Sequence, residues 1–161
     1  SYADDFEDPA LGKELTLALF DNGSDIVLSA AGRTGTGCFD ASNERGSGWI
    51  VAADTDQAHL GPDFQLSYVK KGVDEAVYQG IEHVVNGDFV GGILNLGVAE
   101  GGTDLLGIHA SVDPAFAAVV ETYKQAIIDG TIVVPADDDQ LAAFAPVVLE
   151  GGATPAATPA S

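Results

Sequence analysis

The residues able to do chemistry in this chain fall in a few short stretches. The first is SAAGRTGTGCFDAS, residues 29–42, a glycine-rich turn between an apolar run and a predicted helix. Free backbone N–H groups and a helix N-terminus favour polar or anionic ligand groups at such a place. Yet Gly32-Arg33-Thr34-Gly35-Thr36-Gly37 does not match G-x-G-x-x-G, and it lacks the Gly-Lys-Ser/Thr ending of a P-loop. Spacing alone leaves three readings open: a phosphate cradle, a loop touching another ligand, or a turn from strand to helix.

The second stretch is Asp54-Thr55-Asp56-Gln57, after the apolar WIVAAD run. A carboxylate at a strand end commonly accepts hydrogen bonds from ligand hydroxyls such as those of a ribose; the plainer role is to cap the next element. The third is Lys70-Lys71, two of only four lysines, the others being Lys13 and Lys124. In a surface so poor in lysine, such a point charge is a candidate donor to a ligand oxygen, against the plainer reading of a solvated pair. For nucleophilic catalysis the candidates are Ser29, Ser67, Ser111 or Cys38 with His59, His83 or His109. None carries a supporting local signature such as G-x-S-x-G. The three histidines stand apart, so no metal set is expected. No enzyme and no cofactor follow from the motifs.

Composition narrows the partners. Asp and Glu total 25 against 6 Lys and Arg, a net charge of −19. Such a surface repels nucleic acid and anionic membranes. Scattered acids, few lysines and many small residues resemble adaptation to concentrated salt, as in halophilic archaea. With 46% apolar residues the chain is globular rather than a disordered acidic tail. No apolar run approaches the roughly 20 residues that span a bilayer. The chain opens at Ser1 without Met or a signal-like segment, so the expectation is a processed or trimmed product with any export signal or lipid anchor outside it. Cys38 is the single cysteine and says nothing of redox compartment.

Residues of this kind need a scaffold, and the pattern supplies one. Residues 9–22 read as a helix, with Pro9 in the first turn, Leu11, Leu15, Ala18 and Leu19 on one face and Gly23 as a stop. DIVLSA (25–30) fits a strand buried on both faces, and WIVAAD (49–54) a second buried strand. Helices are predicted over 36–45, over 64–86 from the three-to-four spacing of Leu66, Val69, Val73, Val77 and Ile81, and over 113–129. GGILNLGV (91–98) reads as a third strand and TIVVP (131–135) as a short extended piece. Alternating strands and helices give an α/β class with a mostly parallel sheet, a Rossmann-like three-layer lobe over 1–150. GGATPAATPAS (151–161) has the composition of a flexible tail.

Taken in order, DPALGKELTLALFDNGSDIVLSAAGRTGTGCFDAS, WIVAADTDQ, LSYVKKGVDEAV, NGDFVGGILNLGVAEGGTDL and VDPAFAAVVETYKQAIIDGTIVVP resemble the basic membrane protein (BMP) family, over about residues 2–138. These are purine-nucleoside receptors of ABC transporters, and the match is to their C-terminal half. The resemblance implies half of a type I periplasmic-binding-protein fold, two Rossmann-like lobes that close on a ligand. It implies capture of a nucleoside at the cell surface, by a lipid-anchored protein, and handover to an ABC permease without chemistry. Carried over by position, Phe39 would offer a ring to the base. Asp54, with Asp56 as second choice, would take ribose hydroxyls, and Lys71, with Lys70 as fallback, would donate to the ribose or ring. Gly32, Thr34 and Gly35 would approach the ligand through backbone and hydroxyl. Arg33 stands where the family usually has a smaller, less charged residue. The first lobe is absent from this sequence, so another chain, or copies of this one, would have to complete the cleft. The alternative is a structural, self-assembling protein derived from such a lobe with its ligand role lost. A Rossmann-type nucleotide enzyme is a more distant reading.

Overall fold

The computed structural model describes residues 1–149, so the stretch 151–161 read as a tail lies outside the described residues. Two compact units are present, Ser1–Val112 and Asp113–Ser161. The first holds the sheet. Helix α1 (Pro9–Asp21) starts where Pro9 suits a first turn and where the Asp8 carboxylate accepts a hydrogen bond from the Leu11 N–H. Strand β1 (Ile26–Ser29) follows, then a short 3-10 turn over Gly32–Gly35 and helix α2 (Thr36–Arg45). Strand β2 (Trp49–Asp54), a second 3-10 turn at Ala58–Leu60, strand β3 (Gln65–Lys71), helix α3 (Val73–Asn86) and strand β4 (Thr103–Leu106) complete the unit. The second unit contains helix α4 (Pro114–Ile128), capped by Asp113, and the short helix α5 (Asp138–Ala143), capped by Asp137.

The four strands form one sheet in the order β1-β2-β3-β4. Strands β1, β2 and β3 run parallel, and β4 pairs antiparallel with β3. The α/β class with a mostly parallel sheet is therefore what the alternating pattern predicted. The core lies between one sheet face and helices α1 and α2: Phe20, Val27, Cys38, Phe39, Ala41, Ile50 and Ala52 form it, with Leu17, Leu19, Leu60 and Tyr68 packed against it.

Several expectations change. The predicted helix over 64–86 is two elements, because Gln65–Lys71 pairs with β2 as a strand and only the residues after Gly72 are helical. The predicted strand over 91–98 does not form. Residues 97–102 instead close a turn through Gly102 N–H to Gly97 O (2.9 Å), and the Gly72 N–H bonds the Gly102 carbonyl (2.8 Å), bringing Thr103–Leu106 beside β3. Strand β1 is not buried on both faces: Val27 and Ser29 face the core, while Ile26 and Leu28 are 47% and 56% exposed on the other side. TIVVP forms no strand; its Ile132 is buried and its N–H bonds the Ala126 carbonyl at the end of α4.

Candidate ligand site

The parallel register sets the geometry of the strand ends. Asp54, the last residue of β2, lies opposite Lys70 of β3. Asp54, Lys70 and Lys71 line one cavity of about 280 Å³, with Leu28, Ala30, Ala53 and Val69 as its apolar floor and Gly102 and Thr103 on its far side. No hydrogen bond or ion pair among the described residues engages the Asp54 carboxylate or the Lys70 and Lys71 ammonium groups. Asp54 also holds a left-handed backbone, φ 71°. That conformation costs a non-glycine residue roughly 1–3 kcal/mol, less for Asp than for most, and is typical of ligand-facing positions. An acceptor and two donors with unspent bonding capacity, on an apolar floor, can hold a small polyhydroxylated molecule that has one apolar face.

The glycine turn lines the neighbouring cavity. Thr34 and Gly35 border this space of about 520 Å³ together with Gly12, Leu15, Thr16 and Cys38, and it shares Leu28 and Ala30 with the first. Thr34 is buried, and its hydroxyl donates to the Asp5 carbonyl (2.8 Å) and accepts from the Asp8 N–H (2.9 Å). It ties residues 5–8 to the turn. Gly32 (φ 56°) lies against Phe6, and Gly35 lies against the Ser29 carbonyl. Arg33 extends outward and pairs with Glu7 at 3.7 Å.

Phe39 requires a correction. Its ring is fully buried, within the core cluster under Ile50 and Ala52, so it has no face to offer a base. The reason is helical phase: Phe39 falls on the inward side of α2 with Cys38, Ala41 and Ser42. Cys38 shares that burial, which pushes its thiol pKa up, while the Thr16 hydroxyl donates to its sulfur (3.0 Å). Asp56 is placed in the turn after β2. Its carboxylate accepts from the Ala58 N–H and from Gln65 Nε2, both at 2.9 Å, and these bonds hold its pKa below the ordinary carboxylate value. Buried Gln65 accepts in turn from the Gln57 N–H (2.9 Å), so Asp56 builds the loop beside the cavity rather than lining it. Of the residues singled out from sequence, Asp54, Lys70 and Lys71 converge on one cavity, Thr34 and Gly35 line the neighbouring one, Gly32 packs against Phe6, Asp56 is bonded within its loop, and Phe39 lies in the core. Val69, Leu28 and Thr103 were missed, and only the strand register could have found them.

Fold and strand-end cavity together define the class: an α/β lobe of the solute-binding type, with its open polar site at the carboxyl ends of parallel strands. The family model described as "ABC transporter substrate-binding protein PnrA-like" (Bmp) matches residues 1–138, and the chain belongs to this Bmp family. It is similar to the ABC transporter nucleoside-binding protein BmpA of Lactococcus lactis, with 33% identity over 83% of this chain and 42% of that protein. An uncharacterized lipoprotein of Pyrococcus furiosus shares 36% identity over 63% of this chain and 27% of that protein. Among solved structures, an ABC transporter solute-binding protein from Aeropyrum pernix K1 superposes with a TM-score of 0.72 at 29% identity, covering 86% of this chain and 48% of that one. The chain thus spans less than half the length of these relatives. No described helix is long and apolar enough to cross a membrane.

Proposed function

We propose that this chain forms one wall of a purine-nucleoside site in a cell-surface solute-binding protein, which passes its ligand to an ABC permease without making or breaking a covalent bond. The observation that carries the reading is the convergence of Asp54, Lys70 and Lys71 on one cavity with no bonding partners of their own. The Asp54 carboxylate accepts from the vicinal hydroxyls of a ribose, a pairing that suits a two-oxygen acceptor. Lys71 donates to a ribose or ring oxygen, with Lys70 beside it. Leu28 and Val69 lie beneath the sugar. The name of the Lactococcus relative, a nucleoside-binding protein, supports the nucleoside class, and that of the Pyrococcus relative, a lipoprotein, supports a lipid-anchored, extracellular location.

The cavity volume matches the reading of a single wall. At about 280 Å³ it falls just under the ~300–1,000 Å³ of complete small-molecule sites. The facing wall, and the aromatic surface for the base that Phe39 does not provide, belong to the portion of the family fold outside this sequence. Calorimetry in molar salt with guanosine, adenosine and inosine, on the chain joined to that portion, is expected to show saturable binding of at least one. If none of the three binds the completed cleft, the nucleoside reading is wrong.

A further inference from the structure

Helix α1 runs out into Asn22-Gly23-Ser24, and of the four asparagines in the chain only Asn22 has a hydroxyl residue two positions on; Asn43, Asn86 and Asn95 have Arg45, Asp88 and Gly97 there. Asn-x-Ser/Thr, with x other than proline, is the acceptor pattern for N-linked glycans on exported proteins, where it lies on surface loops. The local fold presents this one in that way. Helix α1 buries Gly12, Thr16 and Phe20. Asn22 follows Phe20 by two residues, about 200° further round the helix, so its side chain leaves on the outward side and its own unit leaves it exposed. The turn is held by main chain alone: the Gly23 N–H donates to the Phe20 carbonyl (3.0 Å) and the Ser24 N–H to the Leu19 carbonyl (3.1 Å). Gly23 takes φ 95°, and nothing lies within 4 Å of its Cβ position. The Asn22 side-chain nitrogen donates to the Ala18 carbonyl (2.8 Å), which engages one of its two hydrogens.

We propose that Asn22 is an N-glycosylation site. In the transfer, the Asn22 amide nitrogen bonds the anomeric carbon of a lipid-phosphate-linked oligosaccharide, the lipid phosphate leaves with the bonding electron pair, and the nitrogen gives up one proton. Its other hydrogen stays on the Ala18 carbonyl, so the end of α1 keeps its bond. The glycan would also stand clear of the ligand cavity. The turn precedes β1, and the Asp25 carbonyl accepts from the Trp49 N–H (2.9 Å) at the start of β2. It therefore lies at the amino ends of the parallel strands, while Asp54 and Lys70 lie at the carboxyl ends. The inference rests on the cell-surface reading and is independent of the nucleoside reading.

The test is mass spectrometry of the protein recovered from the cells that make it. Trypsin releases Asn22 in the peptide Glu14–Arg33, and that peptide is expected to carry a ladder of masses separated by sugar residues, with fragment ions that keep the sugar on Asn22. Asparagine before glycine also deamidates spontaneously, so conversion to aspartate is not counted. Ser24→Ala, made in the same cells, should abolish the ladder and Ser24→Thr should retain it. Ser24 is not buried and both variants should melt with the unmodified protein, which separates loss of the acceptor from loss of the fold. Protease applied outside the cytoplasmic membrane reports where the protein is. If the protease reaches the protein and Asn22 is bare, the proposal is overturned and the cell-surface reading stands; if it does not reach the protein, both fall. A sugar on Asn22 that survives Ser24→Ala overturns the proposal as well. No nucleoside enters the experiment, so the ligand reading is not touched by its failure.

Discussion

Replacing Asp54 with glycine is expected to weaken nucleoside binding to the completed cleft by roughly 10- to 100-fold while leaving the lobe as stable as before, or more so. The binding loss follows from removing a carboxylate that accepts charge-assisted hydrogen bonds, each contributing about 1.5–3 kcal/mol. The stability change has the other sign because the Asp54 carboxylate supports no bond within the described residues, while its backbone is held at φ 71°. Glycine adopts that conformation without the steric cost of a Cβ. Asp54→Asn, which tolerates the same backbone, keeps one acceptor oxygen and should lose less binding than Asp54→Gly. Lys71→Ala should also weaken binding, by a smaller factor, because Lys70 shares the cavity. A drop in affinity that tracks a drop in melting temperature across these variants would mean that Asp54 supports the fold and not the ligand. Calorimetry beside thermal melts distinguishes the two.

Gly37→Ala is expected to cost about 3 kcal/mol or more of folding stability, in the upper range for overpacking a close contact. A Cβ at Gly37 would run into the carbonyl oxygen of Pro9 and lie 2.7 Å from the backbone nitrogen of Lys13; one at Gly12 would strike the Thr34 carbonyl. Both obstacles are main chain, so neither can swing aside. The two glycines let α1 and α2 cross at a distance no other residue permits, and the turn at Gly32–Gly35 depends on that crossing. Phe39→Ala should cost a similar ~3–5 kcal/mol, by leaving a cavity in the core. Gly80→Ala provides the contrast: nothing lies within 4 Å of its Cβ position on open helix α3, so the substitution should stabilise by roughly 0.5–1 kcal/mol through helix propensity. Urea unfolding of the three variants checks the order. Equal midpoints for Gly37→Ala and wild type would refute the close crossing.

The elements most legible in the sequence were those whose local signals agree with their tertiary role. Pro9 and Gly23 mark the ends of α1, but its buried side is Gly12, Thr16 and Phe20, while Leu11, Leu15 and Leu19 are half-buried and Ala18 is exposed. WIVAAD reads as a buried strand because it is a short apolar run, and the structure makes it a strand with only Ile50 and Ala52 fully buried. Strand β3 was hidden for a physical reason: its inward residues are Gln65 and Ser67, which are buried but polar, so the period-2 signal is inverted. With that signal gone, Leu66, Val69 and Val73 fell into an apparent helical period that merges the strand with α3. GGILNLGV looked like a strand because a strand is apolar, but a strand also needs a neighbour, and its glycines favour the turn that delivers Thr103–Leu106 instead.

The site divides along the same line. Asp54 and the lysines stand out in the sequence because their types are rare or special at strand ends, and parallel pairing of β2 with β3 places them on one cavity. Phe39 was misread because adjacency to a glycine turn says nothing about helical phase, and phase points its ring inward. Asp56 carried the same composition signal as Asp54. Only the hydrogen bonds from Ala58 and Gln65 show that it is engaged in the loop. The floor residues Leu28 and Val69 had no signal at all, since an exposed valine or leucine on a strand becomes meaningful only once its neighbours are known.

The most direct measurement is a titration of the isotope-labelled chain with guanosine, followed by backbone and side-chain NMR in molar salt. One wall of a cleft binds weakly but still reports where the ligand sits. The account predicts concentration-dependent shifts confined to Ala53–Thr55, Val69–Lys71 and Gly102–Thr103, and abolished in Asp54→Gly. Shifts centred on Gly32–Phe39, or none at guanosine concentrations that saturate the completed protein, would contradict it.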